Sequence, residues 1–451
     1  MTSENVTIIL AAGKSTRMKS ALPKALHTIA GQPMLGHVLD TASTEDMNNI
    51  VLVVGPEMES VSGYACARFP DISVAIQQKQ NGTGDAVRAA LPFVSSKEGV
   101  ALVIFGDTPL VRSETLREMT KACTIESPVV VLGFKAENPA AYGRLIKDTH
   151  ENLIRIVEAK DASEEERTVS LCNGGAMAIR LEHLEQLLGK ITNENNAGEF
   201  YLTDVVSHAR NSGYSCAVVT APEMDIQGVN SRSDLAAVEF TMQKRLRSKM
   251  MGNGVTLSDP ETVYFSVDTI IGRDVTIGQN VVIGPGVTIG DGVTIKPFSH
   301  IEGGTIADYT QIGPFARIRP GAEIGRDVHI GNFVEIKKAK IEDGAKINHL
   351  TYIGDARVGA RANIGAGTIT CNYDGFNKHF TDIGAGAFIG SNSSLVAPVK
   401  IGDGAYIGSG SVITKDVAPD SLAVERSKQI ERSGWAASFR ERFKNFKKAK
   451  S

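Results

Sequence analysis

The chain has 451 residues, a formal net charge of −3 and a sequence pI near 6.3. That length exceeds what one hydrophobic core usually supports, so at least two domains are expected. The slightly acidic balance lacks the basic excess of nucleic-acid-binding proteins, so no nucleic acid is expected as a partner.

Two further features indicate a cytoplasmic protein. The five cysteines form no C-x-x-C pair and are odd in number, which favours free thiols in a reducing compartment over disulfides or zinc. The first apolar run, Val6–Ala12, is too short to span a bilayer, and a lysine follows it closely. Neither a transmembrane segment nor a signal peptide is therefore expected.

Apolar runs in the first half of the chain predict buried strands at Val6–Leu10, Ile50–Val54, Val100–Phe105, Pro128–Phe134 and Met177–Ile179. Helix-like stretches separate several of them, a pattern typical of an α/β domain with a mostly parallel sheet.

The segment from Leu10 to Met18 begins at the end of the first strand and contains a small, glycine-containing turn with Ala11, Ala12, Gly13 and Lys14. Such a turn can present backbone N–H groups to phosphates, and Lys14, Arg17 and Lys24 would neutralise their charge. It is neither a P-loop nor the Gly-x-Gly-x-x-Gly motif of dinucleotide sites. A tight connection with solvated charges is the alternative interpretation.

Three other segments favour a ligand site at the ends of the strands. Gly106 and Asp107 directly follow a strand, where open α/β sheets bind ligands, although a turn role before Pro109 is the alternative. Gly82-Thr83-Gly84-Asp85 is a second loop that exposes backbone, and Gly228-Val229-Asn230 closes the domain.

With these motifs the domain resembles the sugar-nucleotide pyrophosphorylases, whose loop reads Leu-x-x-Gly-x-Gly-Thr-Arg-Met. Thr16, Arg17 and Met18 match, while Ser15 replaces the second glycine. The resemblance implies that a sugar 1-phosphate attacks the α-phosphorus of UTP and expels pyrophosphate.

It also implies the residue roles in this half. Asp107 and Asn230 would hold Mg²⁺, and Lys14, Arg17 and Lys24 would face the phosphates, with Arg17 and Lys24 catalytic. The nucleotide would contact Leu10, Ala11, Ala12, Gly13 and Gly106, with Gln77, Gly82 and Thr83 at the uracil. Gly143, Glu158 and Asn173 would bind the N-acetylated sugar.

The spacing of Leu235, Val238, Met242, Leu246 and Met250 predicts one long helix that joins the two halves. The expected domains are therefore a Rossmann-like nucleotidyltransferase domain at 1–229, a linker helix at 230–250 and a repeat domain with a tail at 251–451.

A six-residue repeat dominates the second half. Aliphatic residues recur at 271, 277, 283, 289, 295, 301, 306, 312, 318, 324, 330, 336, 341, 347, 353, 358, 364, 383, 389, 395, 401, 407 and 413. This period fits neither a helix nor a flat strand. It predicts a parallel β-helix with three short strands per coil and the aliphatic side chains inside.

The repeat also predicts which residues stack. One corner column should contain Gly284, Glu302, Arg319, Lys337 and Gly354. Coils lie about 4.8 Å apart, so Arg319 and Lys337 would repel by about 1–3 kcal/mol. A purely structural coil does not require that cost, which favours an anion site. An ion pair with Glu302 is the alternative interpretation.

Two breaks in the repeat lie close to this column. His349 stands two places after a core isoleucine, within a coil of the proposed anion site, and is a candidate general base. The gap between Ile364 and Ile383 predicts an excursion of the kind that forms a binding face or a subunit contact.

These motifs resemble, over essentially the whole chain, the bacterial bifunctional N-acetylglucosamine-1-phosphate uridylyltransferase/glucosamine-1-phosphate N-acetyltransferase family. The resemblance implies a left-handed β-helix that forms homotrimers, binds acetyl-CoA between subunits and makes cell-wall precursors. His349 would be the base, oriented by Glu335, and Arg319 and Lys337 would bind the sugar phosphate. Tyr352, Asn363, Asn372 and Tyr373 would complete the pocket, the last two near acetyl-CoA, with Ala366, Ser391, Ser409 and Arg426 on the acetyl group or coenzyme.

Two alternative functions remain open at this point. The chain could be a nucleotidyltransferase whose β-helix only assembles or regulates it, or an assembly subunit with two inactive sites. The tail carries Trp435, Phe439, Phe443 and Phe446 at helical spacing among basic residues. We expect these aromatics to pack on the protein's own body, with a membrane surface as the alternative.

Overall fold

The computed structural model describes residues 5–13, 16–43, 49–139 and 142–448, without the side chains of 445–448. It forms two compact units, Met1–Ser248 with Phe265–Val267, and Lys249–Tyr264 with Asp268–Ser451. Lys14, Ser15 and the side chain of Phe446, which the sequence singled out, lie outside the described part.

The strands of the first unit are β1 (Val6–Leu10), β2 (Thr28–Ile29), β3 (Gln32–Pro33), β4 (Asn49–Val54), β5 (Ser73–Ile76), β6 (Val100–Phe105), β7 (Val129–Lys135), β8 (Arg144–Lys147), β9 (Leu153–Val157), β10 (Leu171–Arg180) and β11 (Cys216–Thr220). Its helices are α1 (Met34–Ala42), α2 (Glu59–Arg68), α3 (Thr83–Ala90), α4 (Ser113–Ala122), α5 (Glu164–Arg167), α6 (Leu181–Gly189), α7 (Val205–Asn211) and most of α8 (Arg232–Gly252).

The main sheet of this unit has the strand order β11-β7-β10-β6-β1-β4-β5. The five predicted strands are all present, and the β1, β4, β5 and β6 pairings are parallel, as are β7 and β11. β10 runs antiparallel to both of its neighbours, so the sheet is mixed rather than uniformly parallel. The strands β2, β3, β5, β8, β9 and β11 were not predicted.

Both faces of the sheet are covered, which explains why its strands read as continuous apolar runs. Alternate residues of β1 enter two separate hydrophobic clusters, Ile8 in one and Ile9 in the other. Residues of α3, α6 and α7 pack with Ile8, and residues of α1, α2 and α4 pack with Ile9. This packing fixes the carboxyl ends of β1, β4 and β6 at one edge of the sheet.

The remaining strands are short and closely spaced: β12 (Thr256–Leu257), β13 (Tyr264–Phe265), β14 (Ile270–Ile271), β15 (Thr276–Ile277), β16 (Val282–Ile283), β17 (Thr288–Ile289), β18 (Thr294–Ile295), β19 (His300–Ile301), β20 (Gly304–Ile306), β21 (Gln311–Ile312), β22 (Arg317–Ile318), β23 (Ala322–Ile324), β24 (His329–Asn332), β25 (Glu335–Ile341), β26 (Lys346–His349), β27 (Tyr352–Val358), β28 (Asn363–Ile364), β29 (Ile369–Cys371), β30 (Thr381–Ile383), β31 (Phe388–Ile389), β32 (Ser394–Val396), β33 (Val399–Ile401), β34 (Tyr406–Ile407), β35 (Val412–Ile413) and β36 (Leu422–Ala423). A final helix, α9 (Trp435–Lys448), follows them.

These strands form the predicted parallel β-helix. Each strand pairs with the one about three strands later, so Ile277 lies beside Ile295 and Ile295 beside Ile312. The repeated isoleucines are buried: Ile277, Ile312 and Ile347 are fully inaccessible to solvent. The repeat therefore forms the core of the second unit, as the period predicted.

The excursion between Ile364 and Ile383 is shorter than the gap in the repeat suggested. β29 continues the coil, and Thr370 occupies the inward position with a side chain that is 1% exposed. The Thr370 hydroxyl accepts a hydrogen bond from the backbone N–H of Gly354 at 2.8 Å. Only the segment at about 372–380 leaves the helix, where Tyr373 and Lys378 form an antiparallel bridge.

Two further observations concern the chain as a whole. Among the described residues, no helix combines the length and apolarity needed to cross a membrane. All five cysteines are free thiols.

Candidate active sites

A cavity of about 430 Å³ opens at the carboxyl ends of β1 and β6 in the first unit. Ten of the residues expected to bind nucleotide or metal line it: Leu10, Ala11, Ala12, Gly13, Lys24, Gln77, Gly82, Thr83, Gly106 and Asp107. The cavity also contacts Gln80 and Glu199, which the sequence did not single out. These two residues lie in irregular segments, where no periodic pattern marks them.

The loop after β1 is held by its neighbours. The N–H of Ala11 donates to the carbonyl of Val53 at 2.8 Å, and the N–H of Gly106 donates to the carbonyl of Leu10 at 3.0 Å. A Cβ at Gly106 would lie 3.2 Å from that of Ala11, tighter than most such contacts. Glycine at 106 therefore allows the two loops to approach.

Two cations and two side-chain oxygens meet beside the cavity residues Lys24 and Asp107. The ammonium of Lys24 forms an ion pair with Asp107 and donates to Oδ1 of Asn230 at 2.9 Å. The guanidinium of Arg17 donates to the same Asn230 oxygen at 2.9 Å. Carboxylate and amide oxygens that share one cation are the ligand types that Mg²⁺ prefers.

The donor set therefore fits a magnesium ion held partly by substrate. Among the described residues, no group of three or more His, Cys, Asp or Glu side chains is placed to hold a metal. Mg²⁺ is commonly bound by one or two protein oxygens, with water and phosphate completing its coordination.

The three residues expected at the sugar lie together but outside the cavity lining. The N–H of Asn173 donates to the carbonyl of Gly143 at 2.8 Å, and a Cβ at Gly143 would lie 3.5 Å from Oε2 of Glu158. The Thr203 hydroxyl donates to Oε1 of Glu158 at 3.3 Å, a partner that the sequence did not indicate. Burial raises the pKa of the Glu158 carboxyl.

A hydrogen bond connects the segment beside Glu158 to the cavity. The N–H of Leu202, next to Thr203, donates to the hydroxyl of Thr83 at 3.0 Å. The segment from Glu199 to Thr203 thus runs from the cavity to Glu158. A nucleotide and a sugar could therefore bind end to end along it.

On the β-helix, the predicted corner column is present. Ile318 pairs with Ile336, Ile336 with Ile353, and Lys337 with Gly354. The N–H of Arg319 donates to the carbonyl of Ile336 at 2.9 Å. Arg319 and Lys337 therefore lie on adjacent coils of one edge, as expected.

The carboxylate partner of Arg319 differs from the expectation. Its guanidinium donates to Oε1 of Glu335 at 2.7 Å, whereas Oε2 of Glu302 lies 3.8 Å from Nε2 of His300. The hydrogen bond that Arg319 donates to Glu335 is the main reason why the pKa of Arg319 is raised. Glu335 reaches Arg319 because it begins the adjacent strand, and it is therefore not the residue that orients His349.

A third cation joins this column. The ammonium of Lys378, in the excursion, is close enough to Lys337 to lower the pKa of that lysine. Asp355 partly opposes the shift. Lys378 was not predicted, because the excursion has no period that would place it. Two ammonium groups at such close range favour an anionic ligand between them.

His349 is exposed and its ring is oriented by an amide. Nδ1 of His349 lies 2.7 Å from Oδ1 of Asn332, its neighbour on the previous coil. An amide oxygen can only accept, so Nδ1 carries the proton and Nε2 is left with a free lone pair. This tautomer is the one that a general base needs.

A second column begins at His349. The strand registers stack His349, Ala366, Ser391 and Ser409, each two places after a core isoleucine. The guanidinium of Arg426 donates to the carbonyl of Ser409 at 2.8 Å. With coils about 4.8 Å apart, this column extends about 14 Å from His349. It brings together four of the residues expected at the acetyl group and coenzyme.

The remaining expected residues border the two columns. Tyr352 pairs with Glu335 and Asn363 with Lys346, on neighbouring coils. Asn372 is 7% exposed and donates to Asp355, whereas Tyr373 is 61% exposed at the start of the excursion. Leu350, with a φ of 53°, turns the corner between His349 and Tyr352.

Both halves of the chain match known protein families. A MobA-like NTP transferase domain matches residues 7–169, and bacterial transferase hexapeptide repeats match 268–303, 303–338 and 380–415, as a left-handed β-helix requires. The chain is 64% identical to the bifunctional protein GlmU of Parvibaculum lavamentivorans over 98% of both chains. It is 55% identical to that of Paramagnetospirillum magneticum over 97% of both, and 54% identical to that of Rhodospirillum rubrum over 97% of this chain and 98% of the relative. The chain therefore belongs to the bifunctional GlmU family of transferases.

Proposed function

We propose that the chain acetylates glucosamine 1-phosphate with acetyl-CoA and then joins the product to UTP, giving UDP-N-acetylglucosamine, a cell-wall precursor, and pyrophosphate. Acetyl transfer takes place on the β-helix, in residues 251–451, and uridylyl transfer takes place in residues 1–229, with a linker helix between them at 230–250. The free thiols are consistent with a reducing, cytoplasmic compartment.

In the acetyl transfer, the 2-amino nitrogen of the sugar attacks the thioester carbonyl. A C–N bond forms, the C–S bond breaks, and the coenzyme leaves as its thiol. Nε2 of His349 takes the proton from nitrogen, since Asn332 holds the proton on Nδ1, and the proton then passes to the leaving sulfur. Arg319, Lys337 and Lys378 bind the sugar phosphate and so fix the distance from the amine to the base.

In the uridylyl transfer, a phosphate oxygen of N-acetylglucosamine 1-phosphate attacks the α-phosphorus of UTP. A P–O bond forms and the bond to pyrophosphate breaks. The sugar phosphate supplies its own nucleophile, so the residues of the site contribute charge and alignment. Arg17 and Lys24 neutralise the phosphates, while Asp107 and Asn230 hold Mg²⁺, which when bound neutralises further phosphate charge.

One observation favours this proposal over a nucleotidyltransferase with a structural β-helix. It is the group of cations beside His349, formed by Arg319, Lys337 and Lys378. A nucleotidyltransferase with a merely structural β-helix would need neither stacked cations nor a histidine held in its basic tautomer. Arg319, Lys337 and Lys378 instead converge on one edge of the helix, where a phosphate would relieve their repulsion.

An exposed aromatic ladder supports a homotrimer. The rings of Phe298, Phe315 and Phe333 stack at 5.0 and 5.1 Å, and these side chains are 49%, 45% and 55% exposed. Leu350 continues the ladder to the corner beside His349. A contiguous apolar surface of this kind is typical of a subunit interface. We therefore propose that neighbouring subunits cover it and complete the acetyl-CoA site.

Two single substitutions test the proposal. His349→Ala should lower acetyl transfer by about 10²–10⁴-fold, the usual contribution of a general base, and leave uridylyl transfer within about twofold. Asp107→Ala should abolish uridylyl transfer and spare acetyl transfer. Release of free CoA thiol and of pyrophosphate would be measured separately.

His329→Ala, on a neighbouring coil, and the exposed Asp71→Ala are matched controls that should change neither rate. A wild-type protein that releases pyrophosphate but no CoA thiol would select the alternative, a nucleotidyltransferase with a structural β-helix. Loss of both activities in one folded variant would contradict two independent sites.

A further inference from the structure

The side-chain amide of Gln77 is fixed in one orientation by its surroundings. Gln77 directly follows β5, its backbone N–H donates to the carbonyl of Val54 at 2.9 Å, and its residue is 4% exposed. It lines the nucleotide cavity. A side chain so enclosed at the edge of a ligand cavity presents the same polar atom to every ligand.

Two acceptor oxygens determine which atom of the Gln77 amide faces the ligand. Nε2 of Gln77 donates to the carbonyl of Gly82 at 3.0 Å and to Oδ2 of Asp85 at 2.8 Å. If the amide were rotated by 180°, Oε1 would face these same two oxygens, with no hydrogen between them. That orientation places three acceptors together and is strongly disfavoured.

The oxygen Oε1 therefore remains for a ligand. Within the described residues, no donor is hydrogen-bonded to Oε1 of Gln77, although the residue borders the cavity. An acceptor in this position can accept from a ring N–H but repels a ring nitrogen that is itself an acceptor. Uracil carries such a hydrogen on N3, whereas N3 of cytosine is itself an acceptor.

We infer that Asp85 is a positioning residue that sets base specificity, by holding Gln77 so that the cavity selects a pyrimidine with an N3–H group. The inference rests on the proposed binding of UTP in this cavity. Asp85 acts only through Gln77, and it contributes a carboxylate that cannot donate while it is ionised.

The segment that carries both acceptors is held by contacts with Phe200. Asp85 lies in the first turn of α3, and the N–H of Gly84 donates to the carbonyl of Phe200 at 2.8 Å. Gly82 has a φ of +112°, and a Cβ there would lie 2.6 Å from the same carbonyl. The close approach requires glycine at 82, and it holds the Gly82 carbonyl against Gln77.

The test compares kcat/KM for UTP and CTP in wild type, Asp85→Ala and Asp85→Asn. In Asp85→Ala the amide can rotate, so the UTP/CTP ratio should fall by about tenfold or more, with CTP turnover rising in absolute terms. Asp85→Asn keeps an acceptor oxygen and should retain most of the wild-type ratio. The change should appear mainly in the nucleotide KM rather than in kcat.

The following results would overturn the inference. If Asp85→Ala lowers kcat/KM for UTP and for CTP by the same factor, so that their ratio is unchanged, Asp85 has only a structural role. If that variant does not fold, Asp85→Leu, which removes the acceptor but keeps the side-chain bulk, takes its place with the same expectation. A wild type that turns over UTP without preference over CTP would refute the inference alone, whereas one that does not turn over UTP would refute the proposed function as well.

Discussion

Asn332 contacts the proposed base, His349, and its removal gives a graded prediction. Once His349 accepts a proton, its hydrogen bond to Asn332 joins a charged donor to an amide oxygen. Such bonds are worth about 1.5–3 kcal/mol, so Asn332→Ala should lower kcat for acetyl transfer about 10- to 100-fold. Steady-state kinetics with glucosamine 1-phosphate would measure it.

The variant Asn332→Asp distinguishes this role from simple packing, because it keeps an acceptor for Nδ1 of His349. It should retain most of the wild-type kcat for acetyl transfer, whereas Asn332→Ala should not. Equal losses in both variants would mean that the hydrogen bond does not orient the base.

Glu158 is expected to lower the stability of the fold near pH 7 and to contribute to sugar binding. Burial raises the pKa of its carboxyl, and the hydroxyl of Thr203 only partly opposes that shift. Since the folded pKa exceeds the unfolded one, Glu158 favours folding below the unfolded pKa, and this contribution is lost as pH rises through the folded pKa.

Glu158→Gln should therefore melt at a higher temperature than wild type near pH 7, and the difference should shrink towards pH 4. Its KM for N-acetylglucosamine 1-phosphate should rise about tenfold, because a hydrogen-bonded carboxylate is lost. Scanning calorimetry and initial rates would measure both, with the exposed Glu164→Gln as control. A variant less stable than wild type at pH 7 would contradict the burial argument.

Site residues were predictable from sequence where a period or a motif fixes their position. The six-residue repeat placed Arg319 above Lys337 because each coil repeats the same geometry. Lys378 was missed because it lies in an irregular segment, and Thr203 because a single 3-10 turn has no sequence period that would place it. Asn332 was missed although the same repeat could have placed it, since it stands two places after Ile330 as His349 does after Ile347.

At the scale of elements, the aromatic ladder is unusual because its backbone is left-handed. Phe298, Phe315 and Phe333 have φ values of 60°, 56° and 56°, where glycine or asparagine is the usual choice. Bulky residues in this conformation cost folding free energy, and their rings remain half exposed. A contact with another subunit would offset that cost.

Phe315→Asp should therefore dissociate the proposed trimer, because an unpaired carboxylate would be buried at the proposed interface. Analytical ultracentrifugation should find about one third of the wild-type mass, with acetyl transfer lost and uridylyl transfer retained. Tyr309→Asp is the matched control, since Tyr309 has the same left-handed φ of 60° and is 55% exposed at another corner. A trimer that survives Phe315→Asp would exclude the ladder from the interface.

Elements whose sequence has a strong period were predicted best, but the surfaces on which they pack were not predicted. The long helix and the hexad strands agree with the structure within a few residues. The expected packing of the tail does not: α9 leaves Trp435, Phe439 and Phe443 at 55%, 47% and 54% exposure, stacked on one another. Helical spacing predicts the helix, but it does not specify the surface that covers its apolar face.

At the scale of the whole molecule, two independent cores accompany two chemistries. The first unit is stabilised by apolar clusters on the faces of its sheet, and the second by the buried isoleucines of its coils. A ligand stabilises only the folded unit that binds it, by about 2.7 kcal/mol when present at 100 times its Kd. Each substrate should therefore protect its own unit.

Thermal unfolding of the full chain should accordingly show two transitions that respond to different ligands. UTP with Mg²⁺ should raise only the transition of the α/β unit, by about 5–10 °C, and acetyl-CoA should raise only that of the β-helix. Tryptophan fluorescence cannot separate them, because Trp435 is the single tryptophan and lies on α9. Calorimetry combined with pulse proteolysis would assign each transition by the fragment that survives. One transition raised by both ligands would mean that the units unfold together. The expectation that His349→Ala and Asp107→Ala each affect only one activity would then depend on the separation of the two sites alone.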